Sequence, residues 1–226
     1  MAAEHTACFR VQCRVVRRIP RYLMLSDMIQ ARDQEKAQGK LVVVSGPSGA
    51  GKSTICREVA RRLDNAFLSV SVTTRPIGPG EENGREYWFL SREEFHKCIE
   101  NGTLLEYAEV FGNLYGTPKD KTDEALLAGK IVILEIDIQG GKQVRALYPR
   151  AVMVFILPPS AKVLAQRLGH RGRETAEAAA RRLGGAGAEI ATAWQYYDNM
   201  VINDELEQAI TEVIQIIEHA PGIGDT

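Results

Sequence analysis

Gly46-Pro47-Ser48-Gly49-Ala50-Gly51-Lys52-Ser53 fits the spacing GxxxxGK[ST] at every fixed position. Glycines at this spacing let backbone N–H groups turn inward around phosphate oxygens, and a helix starting at the motif adds its positive end. A lysine at the position of Lys52 reaches the β- and γ-phosphates of a nucleotide. A hydroxyl at Ser53 serves as a ligand to Mg²⁺. Such a loop specifies nucleotide binding and leaves the reaction open, because switch GTPases, motors and small kinases all use it.

A second chemical pair is Glu135 and Asp137, two residues apart at the end of the apolar run Ile131-Val132-Ile133-Leu134. In a strand they share one face. Carboxylates after a uniformly apolar strand are costly unless they meet a cation or a ligand, so the pair is expected to support Mg²⁺, directly or through water. Arginines and glycines concentrate between Gln166 and Gly187, including Arg167, Arg171, Arg173, Arg181 and Arg182. No CxxC pair occurs among Cys8, Cys13, Cys56 and Cys98, and His5, His96, His170 and His219 lack ligand spacing. Reduced thiols and no imidazole metal site are expected.

These groups need a scaffold. Leu41-Val42-Val43-Val44 reads as a strand buried on both faces, and Ile131–Ile136 and Val152–Leu157 have the same character. Gly140–Tyr148 is long enough for a crossover helix, Met200-Val201-Ile202 is a last short strand, and Asp204–Glu218 a last helix. Strands alternating with helices predict an α/β fold, a three-layer core whose parallel sheet is covered on both sides. Residues 74–118 break the rhythm with turns and aromatic strands, Tyr87-Trp88-Phe89 and Leu104-Leu105-Glu106-Tyr107, and read as a small β-rich insert. Residues 166–187 read as a second insert. Gly184, Gly185 and Gly187 predict a break in its helix, since each glycine costs ~1 kcal/mol against alanine.

The chain has 226 residues, 45% hydrophobic and 25% charged, enough for one ordinary core. A net charge of −1 gives no overall bias toward nucleic acid or membrane. No apolar run approaches the ~20 residues of a membrane span. The first 39 residues are set apart: Arg10, Arg14, Arg17, Arg18 and Arg21 accompany a single acid, Glu4, over the first 25. An organelle transit peptide, a disordered tail, and a true start at Met24 or Met28 all fit that composition.

Thr73-Thr74-Arg75, Pro79-Gly80-Glu81, Asn83-Gly84 and Tyr87 follow the phosphate loop in an order that resembles the guanylate kinase family. The resemblance continues through Leu105-Glu106-Tyr107-Ala108, Gly112–Thr117, Leu134–Gly140, Leu157-Pro158-Pro159-Ser160 and Val201-Ile202-Asn203-Asp204, about residues 40–218 in all. It implies a P-loop nucleoside-monophosphate kinase of purine metabolism, with residues 40–220 as the domain, 74–118 the acceptor insert, 166–187 a mobile lid and 221–226 a tail.

The implied reaction is Mg²⁺-dependent transfer from ATP to GMP, or dGMP, in a cytoplasmic monomer or homodimer. ATP would lie on Gly46–Ser53, Thr54 and Asn203. GMP would lie on Ser71, Arg75, Tyr87, Glu106, Tyr115, Thr117 and Asp137. Lys52, Arg75 and the lid arginines Arg167, Arg171 and Arg182 would carry transfer. A carboxylate such as Glu106 suits the N1–H and N2–H₂ donors of guanine, which adenine does not present. One departure stands out: the family's second phosphate-binding arginine is Gly78 here. A non-catalytic partner-binding module of the same fold, or a kinase for another phosphorylated small acceptor, are the competing readings. Lys52, Ser53 and the lid arginines count against the module.

Overall fold

The apolar run Leu41–Val44 can stand in water only if both strand faces are covered. The computed structural model describes residues 39–169 and 176–222, with side-chain detail except at 168, 169 and 176–183. The Arg-rich start, Arg171 and residues 223–226 lie outside the described residues, as does the side chain of Arg182.

The first half of the chain forms β1 (Lys40–Ser45), α1 (Lys52–Arg62), β2 (Ala66–Leu68), β3 (Val72–Thr73), β4 (Trp88–Phe89), α2 (Arg92–Glu100), β5 (Leu104–Val110) and β6 (Asn113–Pro118). The second half forms α3 (Lys119–Leu127), β7 (Ile131–Glu135), α4 (Ile138–Leu147), β8 (Val152–Leu157), α5 (Ala161–Gly169), α6 (Ala176–Tyr196), β9 (Asn199–Ile202) and α7 (Leu206–His219).

Five strands make a parallel sheet in the order β2-β7-β1-β8-β9. Alternation along β1 divides the core. Val42 and Val44 face Ile55 and Val59 of α1 and Ile210 and Val213 of α7. Leu41 and Val43 face Leu126 of α3, Val144 of α4 and Ala193 of α6. Helices therefore cover both faces, giving the three layers that the sequence pattern predicts. The β1–β7 register pairs Val44 with Glu135, so the acidic end of β7 lies beside the start of the phosphate loop.

A second sheet, β4-β3-β6-β5, carries the insert and already begins at Val72. Its buried side is filled by Phe95 of α2 against Val72 and Leu114. Reading the insert as β-rich leaves out α2, although its start is written in Ser91 and Glu94. Ser91 Oγ accepts from Glu94 N at 3.2 Å, and Ser91 N donates to Glu94 Oε2 at 2.8 Å, a reciprocal cap.

The predicted helix break at Gly184–Gly187 is absent: α6 runs unbroken from Ala176 to Tyr196. Ala186 packs on Leu164 of α5, while Ala193 and, just past the helix end, Tyr197 are buried in the main core. Anchoring among the glycines at Ala186 and beyond them at Ala193 and Tyr197 outweighs their poor propensity. Among the described residues, no helix is long and apolar enough to cross a membrane.

Candidate active site

The turn from β1 into α1 brings the phosphate loop to the carboxyl end of the sheet, where α/β folds place ligands. Gly51 caps α1 with φ 97°, a left-handed backbone, and a Cβ there would lie 2.2 Å from Asn203 Nδ2. Only glycine fits. That amide of Asn203 donates to Ala50 O at 2.7 Å and braces the loop from the end of β9. Lys52 Nζ spans the loop, donating to Gly46 O at 2.6 Å and Pro47 O at 3.2 Å. Thr54 is exposed on α1.

Ser53 Oγ donates to Glu135 Oε1 at 2.6 Å, joining the phosphate loop to β7. Asp137 does different local work. Its Oδ1 caps α4 by accepting from Gly140 N at 2.9 Å, and Oδ2 accepts from Gln139 Nε2 at 3.2 Å. Burial raises the Asp137 carboxyl above its ordinary range despite these bonds.

The second sheet faces this edge with a mixed polar and aromatic wall. Arg75 Nη1 and Nη2 donate to Glu81 Oε2 and Oε1, each at 2.9 Å, so the guanidinium is held in a fork. It lies 5.3 Å from the ring centre of Tyr87 and 5.5 Å from that of Phe89. Tyr87 meets Tyr115 edge-on at 5.9 Å. Burial, with the Glu135 charge adding to it, lifts the Tyr87 phenol to about 12, so the hydroxyl keeps its proton as a donor. Ser71 joins the sheet through its carbonyl, which accepts from Trp88 N at 2.9 Å.

Glu106 is 4% exposed, an unusual place for a carboxylate. Thr117, fully buried, donates from Oγ1 to Glu106 Oε1 at 2.6 Å. Burial is the larger force and lifts Glu106 to about 7, with Asp137 adding repulsion. The space for its other oxygen exists because residue 140 is glycine; a Cβ there would sit 2.2 Å from Glu106 Oε2.

On the far side, Arg167 Nη2 donates to Asn203 O at 3.1 Å. Its Nη1 is buried without a hydrogen-bond partner.

The family-model comparison finds guanylate kinase over residues 38–220. The guanylate kinase of Carboxydothermus hydrogenoformans is 49% identical over 180 residues, 80% of this chain and 88% of that protein. That of Rubrobacter xylanophilus is 48% identical over 188 residues, 83% and 98% of the two chains. This chain belongs to the guanylate kinase family. A crystal structure of guanylate kinase from Anaplasma phagocytophilum shares the fold with a TM-score of 0.68 at 33% identity, covering 82% of this chain and 87% of that one.

Several groups at the guanylate kinase site escape sequence reading. Glu81 is visible only as part of a motif, yet it orients Arg75. Glu189 on α6 has its carboxyl raised by burial, with Lys52 opposing and Asp137 adding to the shift, so this stretch of α6 lies near the phosphate loop. Tyr197 donates from its buried hydroxyl to Ser45 Oγ at 2.6 Å, and Ser45 Oγ donates to Ile136 O at 2.8 Å. That chain ties the end of α6 to the strands bearing the phosphate loop and Glu135. No local spacing signals it, because the partners are 152 residues apart.

Proposed function

We propose a division of labour for the transfer of the terminal phosphoryl group of ATP to GMP, giving ADP and GDP. The reading rests chiefly on a buried carboxylate, Glu106, carried by the same small sheet as the cationic and phenolic group of Arg75, Tyr87 and Tyr115. The phosphate loop, Gly46–Ser53 with Thr54, cradles the donor through its amides and Lys52, with Asn203 holding the loop at the adenine side. Arg75, Tyr87 and Tyr115 donate to the phosphate of GMP. Glu106 accepts from guanine N1–H and N2–H₂, with Thr117, Ser71 and Asp137 around it. Guanine donors offset the cost of ionising a buried Glu106. Arg167, with Arg171 and Arg182, neutralises charge on the transferring group. The orphaned Nη1 of Arg167 supports this role, since a buried unmet donor costs ~1–3 kcal/mol until an acceptor arrives.

Transfer needs little covalent chemistry from the protein beyond alignment and charge stabilisation. The residues present fit Mg²⁺. Ser53 and Glu135 offer hard oxygen donors 2.6 Å apart. No cluster of three or more His, Cys, Asp or Glu side chains suited to a metal occurs among the described residues; an ion held mainly by phosphates and water does not need one. Ser53, Glu135 and Asp137, directly or through water, would hold it, and bound there it neutralises charge on the β- and γ-phosphate oxygens.

The assignment of Glu106 is tested by Glu106→Gln, which turns one acceptor toward guanine into a donor. The expected result is a fall in kcat/KM for GMP of about 100-fold or more with the KM for ATP retained. Unchanged GMP kinetics contradict the assignment.

A further inference from the structure

Strand β5 is the edge of the second sheet, so the outward N–H and C=O groups of Tyr107 and Glu109 have no strand partner. Helix α4 supplies one. Gln143 Nε2 donates to Tyr107 O at 2.7 Å, and Gln143 Oε1 accepts from Tyr107 N at 3.3 Å. One carboxamide thus closes both polar groups of a single residue, as a neighbouring strand would. One turn earlier, Gln139 Nε2 donates to Glu109 O at 3.3 Å.

The spacing explains why the pair works. Four residues along a helix advance about 6 Å, and two residues along a strand about 7 Å. Gln139 and Gln143 therefore meet Glu109 and Tyr107 in register, helix and strand running in opposite directions. Between them on the same helix lies Gly140, whose missing side chain leaves the space beside Glu106 Oε2. The helix begins at Asp137, whose side chain caps it. One helical face thus holds the backbone next to Glu106, makes room for its carboxylate, and carries Asp137.

We infer that Gln143 is a positioning residue of the acceptor site, fixing where Glu106 presents its carboxylate by clamping the Tyr107 peptide. The inference rests on the proposed reading of Glu106. The clamped N–H and C=O lie in the plane of the sheet at its edge, whereas the buried Glu106 side chain stands on one face and the exposed Tyr107 side chain on the other. Gln143 thus acts on the base without touching it. A small displacement of a reading group is enough to matter, because hydrogen-bond energy falls steeply with geometry.

The test compares wild type with Gln143→Ala and Gln143→Leu, the second keeping bulk without the amide. GMP and IMP serve as acceptors at saturating Mg-ATP; IMP retains N1–H but lacks the 2-amino group. Both variants are expected to raise the KM for GMP about tenfold, keep the KM for ATP within about twofold, and narrow the preference for GMP over IMP. Equal losses for GMP and IMP, or constants unchanged from wild type, overturn the positioning role while wild-type GMP turnover stands. No GMP-dependent turnover in the wild type overturns the reading of Glu106 and this inference with it. Circular dichroism and thermal melting of both variants separate a misplaced strand from an unfolded one.

Discussion

Glu106 holds opposing demands in one carboxyl group. Burial favours its neutral form and lifts it to about 7, whereas a bidentate acceptor for guanine must be ionised. Between its ordinary value of 4.5 and about 7 the folded protein keeps a proton that the unfolded chain has released. This contribution to stability therefore falls as pH rises through that window, and the loss is complete above about 7. GMP recognition runs the other way: kcat/KM for GMP is expected to climb as pH rises through the same range. The acceptor phosphate also titrates, near pH ~6, so the informative curve is wild type against Glu106→Gln. The variant should lack the component near 7 in both the melting and the kinetic profile; identical profiles would contradict it.

Gly78 stands where the family resemblance implies a second phosphate-binding arginine. Its N–H donates to Glu81 Oε2 at 2.7 Å, and it is not among the glycines with positive φ, so its backbone suits an arginine. Nearby Arg85 does not fill the gap, being engaged with Glu86 and the Gly80 carbonyl at 2.7 Å each. A charge-assisted contact to phosphate is worth ~1.5–3 kcal/mol. Gly78→Arg is accordingly expected to lower the KM for GMP by about 10- to 100-fold. No change in any kinetic parameter would refute a weakened phosphate grip.

At the scale of elements, α6 marks where propensity misleads. Three glycines predict a break, yet a Cβ at Gly184, Gly185 or Gly187 meets nothing within 4 Å, so no close approach demands them. Alanine at all three is expected to stabilise the protein, with roughly 0.5–1 kcal/mol per site and a few degrees in melting temperature overall. Hydrogen exchange across residues 180–195 should slow in parallel. A lower melting temperature would mean that the glycines serve a conformation other than this helix. The opposite case is α2, whose start is legible in the Ser91–Glu94 cap although aromatic strand-like runs flank it on either side. Strands β1, β7 and β8 were readable because burial on both faces demands uninterrupted apolar runs. The two-residue strands β3 and β4 carry no such run; pairing partners define them.

Across the whole molecule, two kinds of information differ in reach. The phosphate loop is local, and its residues, spacing and flanking elements can be read in one window. Placing Glu106 over Gly140, or Tyr197 against Ser45, requires the fold, because each contact joins distant segments. Family resemblance names the proposed acceptor residues. The geometry adds Glu81, which holds Arg75, Gln143, which holds the strand of Glu106, and Tyr197, which ties the end of α6 to Ser45 beside the phosphate loop. These pieces converge on one edge of the sheet and predict a single selectivity.

The most direct test is ADP formation by the full chain with Mg-ATP and, in turn, GMP, dGMP, AMP, CMP and UMP. The expected result is strong turnover with GMP, a lesser or equal rate with dGMP, and little with the other three. Turnover led by AMP, CMP or UMP, or none with GMP in a protein that still binds it, would contradict a guanine-reading phosphotransferase.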